Sequence, residues 1–279
     1  MVDQPRQTQR YEKTIRDDEQ SLVCDILSLV RQFPRYGYRM IWSKLKQLGW
    51  QRLNVKRVYR IWRQEGFKVP KKKRKRRRLG DSSNSIQRRR AEGINDVWSW
   101  DFIFDRTIGG RPLKWLVILD EFTRENLCLE VEHSMTSEDI INLLAQLFKA
   151  RGIPKHIRSD NGPEFIAKAL KSWLGKLGIE TLYIEPGSPW ENGYAESFNS
   201  RFKDEFLALE EFENLAAAKV LTRMHQANYN QDRPHSSLDY MTPAEFAQQC
   251  SVSVAGAPET EHCRKNDETN VNSNQPILS

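Results

Sequence analysis

The sequence predicts an α/β protein in two parts: a mixed five-stranded sheet with helices on both faces, preceded by a small all-α helix-turn-helix-like domain. Three observations carry this expectation. Apolar residues recur at helical spacing between Glu19 and Lys68. Five stretches rich in β-branched and aromatic residues follow Asp96, three in succession and two separated by helical segments. A basic run followed by Gly, Ser and Asn lies between the two parts and marks a linker. With 279 residues there is room for one domain of ordinary size and a small accessory one.

The elements follow in order. Residues 1–18 are expected to form a flexible N-terminus. In residues 19–68, Leu22, Val23, Ile26, Leu27 and Val30 share one helical spacing, Ile41, Trp42, Leu45 and Leu48 a second, and Val55, Val58, Tyr59 and Trp62 a third. Asn54 is the expected cap of the third helix, and Gly49 separates it from the second. A packing or dimerisation bundle would show the same periodicity. The basic third helix, with Lys56, Arg57, Arg60 and Arg63 on its exposed side, favours DNA. The linker, 69–95, holds Lys71, Lys72, Lys73, Arg74, Lys75, Arg76, Arg77 and Arg78, then Gly80-Asp81-Ser82-Ser83-Asn84-Ser85. Like-charge repulsion keeps such a segment extended, so it is expected to order only on DNA. The core, 96–249, is expected to contain strands over 97–105, 113–120, 127–132, 155–159 and 179–184, with helices over 136–150 and 163–176. Three strands in a meander followed by helix-linked strands imply a mixed sheet. Residues 250–279 are polar and aperiodic and are expected to be disordered.

Charge narrows the function. The net charge is +7, but residues 52–90 hold 17 Lys and Arg against Glu65 and Asp81, a local +15 that leaves −8 elsewhere. Basicity this concentrated marks a nucleic-acid surface rather than a general property of the chain. Cys24, Cys128, Cys250 and Cys263 show neither CxxC pairing nor zinc-like His spacing and are expected to be reduced thiols. No apolar run approaches the ~18 residues of a membrane span, and the N-terminus lacks a signal-peptide core. The expected location is the cytoplasm, on DNA.

Three carboxylates stand in distinctive contexts: Asp101 after Trp98-Ser99-Trp100, Asp160 in Ser159-Asp160-Asn161-Gly162-Pro163, and Glu196 in Asn192-Gly193-Tyr194-Ala195-Glu196-Ser197-Phe198-Asn199. Strand alternation puts Trp98, Trp100, Phe102 and Phe104 on one face and Asp101 on the other. Asp160 ends a short strand before a turn sequence, at the edge where open α/β sheets build their sites. Glu196 lies on a helix whose start is marked by Ser188, Pro189 and Glu191, with Tyr194, Phe198 and Phe202 as its buried stripe. Glu196, Asn199 and Lys203 then share the polar face, with Asn199 and Lys203 as expected DNA contacts. Three such carboxylates brought together can hold two Mg2+ ions, with Mn2+ as a substitute, and position both oxygens of a phosphodiester displacement. Asp105 and Glu164 are the nearest stand-ins should an acid be misassigned.

These motifs resemble those of the second-frame (OrfB) transposase of the bacterial insertion-sequence-three family, within the retroviral-integrase superfamily. The likeness runs from about Tyr36 to about Phe246 and includes Leu119-Asp120-Glu121-Phe122-Thr123-Arg124-Glu125, Ile184-Glu185-Pro186-Gly187-Ser188-Pro189, Phe202-Lys203-Asp204-Glu205 and Tyr229-Asn230-Gln231-Asp232-Arg233-Pro234-His235-Ser236-Ser237-Leu238. An interval of 35 residues would be a poor argument alone, but between Asp160 and Glu196 it comes with the motifs in the family's order. The resemblance implies a ribonuclease-H-like core and assigns the catalytic, metal-holding acids to Asp101, Asp160 and Glu196. It assigns the helix-borne basic DNA contact to Lys203. It implies metal-dependent cleavage at the element's ends, strand transfer by the 3′ hydroxyl, and a first joining of the element's own ends into a circle. As partners it implies DNA, a first-frame (OrfA) protein or a fusion with it, and further copies of the chain on DNA. The His/Cys zinc module of retroviral integrases is not visible. Two other readings are a domesticated, inactive DNA-binding regulator, which has no need of three intact acids, and a tyrosine recombinase, for which Arg233 and His235 lack a matching Arg/His/Tyr constellation.

Overall fold

The computed structural model describes residues 16–69, 89–159, 168–183 and 192–254. The chain divides into two units, Met1–Arg74 and Lys75–Ser279.

The first unit contains α1 (Glu19–Gln32), α2 (Tyr38–Gln47) and α3 (Val55–Gln64). Leu22, Ile26 and Leu29 of α1, Ile41 and Leu45 of α2, and Val58, Ile61 and Trp62 of α3 form one buried cluster. Burying each such side chain stabilises by about 1.5–3 kcal/mol, so the amphipathic spacing is what holds the helices together. Gly49 takes φ +103° between α2 and α3, a conformation that side chains disfavour, and Asn54 starts α3 by accepting the backbone N–H of Lys56 at 2.8 Å. The N-terminal segment expected to be flexible to residue 18 is anchored at Asp18, whose carboxylate accepts hydrogen bonds from Arg57 at 2.6 and 3.0 Å.

In the second unit β1 (Val97–Arg106), β2 (Pro112–Asp120) and β3 (Asn126–Glu132) form an antiparallel meander. After α4 (Ser137–Arg151), β4 (His156–Ser159) pairs in parallel with the other edge of β1. After α5 (Lys168–Lys176), β5 (Glu180–Tyr183) pairs in parallel with β4, completing the order β3-β2-β1-β4-β5. The helix α6 (Gly193–Phe202) runs directly into a π-helical turn, Lys203–Leu207, and is followed by α7 (Leu215–Gln231), a 3-10 turn at Ser236–Leu238 and α8 (Pro243–Val254). This is the ribonuclease-H-like mixed sheet that the strand order predicted.

Alternation along β1 decides what each sheet face meets. Trp98 and Trp100, with Leu116 and Ile118 of β2, pack against Ile140, Leu144 and Phe148 of α4 and Leu170 and Leu174 of α5. On the opposite face Ile103 of β1 and Trp115, Val117 and Leu119 of β2 pack against Phe198 and Phe202 of α6 and Tyr229 of α7. Phe104 keeps the parity of the aromatic row but is 64 % exposed; the Lys114 ammonium lies 5.6 Å from its ring.

Order extends beyond the expected core limits at both ends. Asn95 donates its backbone N–H to Asp120 at 2.9 Å and its side-chain amide to the Arg151 carbonyl at 2.7 Å, while Arg158 donates to the Arg89 carbonyl. The end of the expected linker therefore belongs to the core. At the other end α8 continues to Val254 and buries Cys250 against Leu238 and Phe246, which corrects the expected disorder from residue 250. Cys24, Cys128 and Cys250 are free thiols, and burial pushes that of Cys128 up to about 12. No helix among the described residues is long and apolar enough to cross a membrane. The run Lys71–Arg78, the residues Asp160 and Glu164, the helix-start signals Ser188, Pro189 and Glu191, Cys263 and the rest of the expected tail from 255 lie outside the described residues.

Candidate active site on β1 and α6

Packing of α6 fixes which way its polar residues point. Ala195, Phe198 and Phe202 are buried; the Phe198 ring meets Tyr229 edge-on at 4.9 Å, and Phe202 meets Trp115 at 5.8 Å. The expected stripe is corrected at its first member. Ala195, three and seven residues before the two phenylalanines, takes the buried position, and Tyr194 is half-buried with the Arg124 guanidinium 3.5 Å from its ring centre.

Asp101 has the parity of Ile103 and so lies on the α6 side of β1. One of its oxygens accepts the Phe102 backbone N–H at 2.7 Å; the other accepts the side-chain amide of Asn199 at 2.6 Å. Asn199, expected as a DNA contact, is therefore a partner of the first acid. Its own Oδ1 is buried without a hydrogen-bond partner among the described residues. Glu196, one turn earlier on α6, is exposed. Lys203 is also exposed; its backbone N–H still reaches the Asn199 carbonyl, so it ends the α-helical row of Glu196, and its own carbonyl opens the π turn. Asp105 lies further along β1, with a carboxylate oxygen accepting the Arg106 backbone N–H at 2.9 Å.

Among the described residues no three His, Cys, Asp or Glu side chains gather as a metal cluster. Asp160 is outside them. The residues that are placed have the donor chemistry of a hard cation's ligands: the carboxylates of Asp101 and Glu196 and the unpartnered amide oxygen of Asn199 all offer oxygen.

A second group is not evident from sequence. Arg233 is 4 % exposed and grips Glu205 of the π turn at both carboxylate oxygens, 2.6 Å each. This accounts for the first residue of Arg233-Pro234-His235 as a structural cation. His235 stacks edge-on against Tyr229 at 4.8 Å, and burial, reinforced by the Arg233, Arg201 and Arg124 charges, holds its imidazole down at about 2. Burial likewise lowers His225 to about 4 and raises the Tyr229 phenol. The sequence sets Glu205 and Arg233 in two separate motifs but announces no pairing between them, because they meet only once the fold closes 28 positions of chain.

On α3 the four expected DNA contacts divide. Lys56 and Arg63 are exposed. Arg57 is bound to Asp18 and lies 3.5 Å from Glu19, and Arg60 contacts Glu19 at 2.7 Å, so acids at the start of α1 partly neutralise these two. The pairing holds the Asp18 carboxyl below its usual range and raises the Arg57 guanidinium.

Comparison with known proteins is consistent across both units. The Integrase core domain family matches residues 91–189, a second family of the same description matches residues 177–243, and the HTH-like domain family matches residues 16–76. The 39.2 kDa protein of insertion element IS476 from Xanthomonas euvesicatoria is 37 % identical over 228 residues, covering 82 % of this chain and 65 % of that relative's length. The 31.7 kDa protein of insertion element IS407 from Burkholderia multivorans is 34 % identical over 247 residues, 88 % of either chain. Transposase InsD of insertion element IS2 from Escherichia coli is 29 % identical over 250 residues, 83 % of this chain and 80 % of that one. Two family matches inside the sheet unit, one on the helical unit and a relative aligned over nearly its full length lead to one assignment: the chain belongs to the insertion-sequence-three transposase family, as a second-frame protein with an HTH-like domain ahead of an integrase core.

Proposed function

We propose that this protein cuts DNA at the ends of an insertion element and joins the freed 3′ hydroxyl to a second phosphodiester, with Asp101, Asp160 and Glu196 as its catalytic acids. The observation that carries this reading is the 2.6 Å hydrogen bond from Asn199 to Asp101, which fixes the Glu196-bearing face of α6 beside β1. The strand register supports the third acid. Ser99 pairs with Arg158 in parallel, and Asp160 follows Arg158 by two positions just as Asp101 follows Ser99.

Asp101 and Glu196, with Asp160, would hold divalent cations, Mg2+ above all. Such ions would lower the pKa of attacking water and offset charge on the attacking and leaving oxygens. The chain's own residues orient. Asn199 clamps one oxygen of Asp101 and leaves the exposed Glu196 carboxylate open to substrate. Lys203 supplies an ammonium for a phosphate near the cut, and Lys56, Arg63 and the run Lys71–Arg78 supply sequence-independent attraction to the backbone. Water takes the first displacement and the new 3′ hydroxyl the second, so no covalent protein intermediate is needed. The first-frame protein of the same element and further copies of this chain are the partners the family reading supplies, and DNA in the cytoplasm is the setting.

Asp101→Asn, Asp160→Asn and Glu196→Gln are each expected to abolish cutting and joining while DNA binding persists, since near-isosteric amides remove the charge that metal affinity needs. Cleavage and joining of labelled element ends with Mg2+ decides it. An amide variant with substantial joining activity removes that residue from the site, and activity in EDTA removes the metal.

A further inference from the structure

The helix α6 has a second polar face, across its buried row from Glu196 and Asn199. Tyr194, Ser197 and Arg201 fall there within an arc of roughly 60°, at ~100° per residue. Three elements bring cations to this side: α6 brings Arg201, the turn between β2 and β3 brings Arg124, and the segment after α7 brings Arg233. They act on one another and on shared neighbours. Burial and the Arg233 and Arg124 charges lower the Arg201 pKa, and the same three guanidiniums bear on both Tyr229 and His235. Glu205 is the carboxylate within this group, and Arg233 occupies both of its oxygens.

Arg124 and Arg201 form no ion pair with a carboxylate among the described residues. Arg124 instead lies over the Tyr194 ring and donates to the Glu121 carbonyl. Beside them His235 is 2 % exposed, and its Nε2 has no hydrogen-bond partner among the described residues. Half-buried like charges next to an unsatisfied polar atom are destabilising unless an anion completes the set. Guanidinium is the side chain best shaped to take a phosphate oxygen pair.

We propose that Arg124 and Arg201, backed by Arg233 and His235, bind a DNA phosphodiester on the flank of α6 opposite the acids. The helix then has DNA on both sides: the reacting phosphate at Asp101 and Glu196, and a held phosphate at Arg201. The identity of the anion rests on the proposed DNA-cutting function.

The test is a salt titration of binding to a labelled element end, using the full chain with Arg201→Gln and Arg201→Lys. Arg201→Gln is expected to reduce the log–log salt slope by about 0.9, the signature of one phosphate no longer neutralised. It should weaken binding roughly tenfold at low salt, as removal of a charge-assisted hydrogen bond does. Its thermal midpoint should hold or rise, because a neutral amide relieves repulsion from Arg233 and Arg124. Arg201→Lys should keep the slope and give up part of the affinity. A slope for Arg201→Gln that superimposes on the parent's overturns the proposal. So does a fall in thermal midpoint in step with binding, which would make Arg201 a packing residue. Because the readout is binding, a parent that never joins DNA would count against the catalytic reading alone.

Discussion

A buried imidazole that stays neutral links the stability of the fold to pH, and His235 and His225 both do so. Their folded values of about 2 and about 4 lie below the ordinary 6.5, so between these limits the unfolded chain binds protons that the folded chain refuses. Stability is therefore fully present above about pH 6.5 and falls as pH drops. At about 1.4 kcal/mol per pH unit, lowering the pH from about 6.5 to about 5 should cost about 2 kcal/mol through each ring, since both folded values lie below this window. Urea unfolding at about pH 7 and about pH 5 checks this, and a midpoint that does not fall would show that these rings are not held neutral. At this scale the sequence is legible where the relation is local. Strand parity alone puts Asp101 on the face opposite Trp98 and Trp100, and helical spacing alone puts Asn199 one turn from Glu196. Pairings across the fold are not legible. Asn199 reads as a surface amide until β1 presents Asp101 to it, and Arg57 reads as an unpaired cation until Asp18 and Glu19 come alongside.

At the scale of the element, α6 and its π turn show both what a period predicts and where it stops. The α-helix carries Lys203 into the row of Glu196, and from the Lys203 carbonyl onward the chain changes to i+5 hydrogen bonding, a local insertion that often marks functional sites. Lys203 stays exposed and the following turn is tied to the distant chain through Glu205 and Arg233. Its ammonium can then serve as a point charge on an anchored support. Lys203→Ala is expected to impair end binding and joining more than folding, and Lys203→Arg to retain part of the activity. Footprinting on a DNA end beside a joining assay measures this; an alanine variant that binds and joins like the parent returns Lys203 to the solvated surface without touching the acids. The strands are readable to within about two residues because β-branched and aromatic stretches end at turn residues. The start of α8 has a signal too, with Thr242 and Glu245 exchanging hydrogen bonds as a capping box and Pro243 in the first helical position. Its later turns do not, since beyond Phe246 and Cys250 the helix offers little apolar periodicity, and only packing against Leu238 reveals that it is part of the core.

For the whole molecule the unequal distribution of charge governs how DNA would be gathered and where it would be cut. Residues 52–90 carry the local +15, while the remainder, which contains the three acids, carries −8. The structure refines that division, because Asp18 and Glu19 already neutralise much of Arg57 and Arg60. The sequence-independent attraction should then depend most on Lys71–Arg78. Replacing these eight residues by neutral ones is expected to weaken binding to every DNA sequence alike and to lower the log–log salt slope by about 0.9 for each phosphate left unneutralised. With several phosphates released, the change should be several times that expected for Arg201→Gln, and it should act on element ends and unrelated duplexes equally. Arg201, on the same helix as Glu196, should instead affect ends more when joining is scored. Titrations with both kinds of duplex separate these roles, and superimposable slopes for the parent and the neutralised run would make residues 71–78 a solvated connector, leaving Lys56, Arg63 and the α6 flank to account for the affinity.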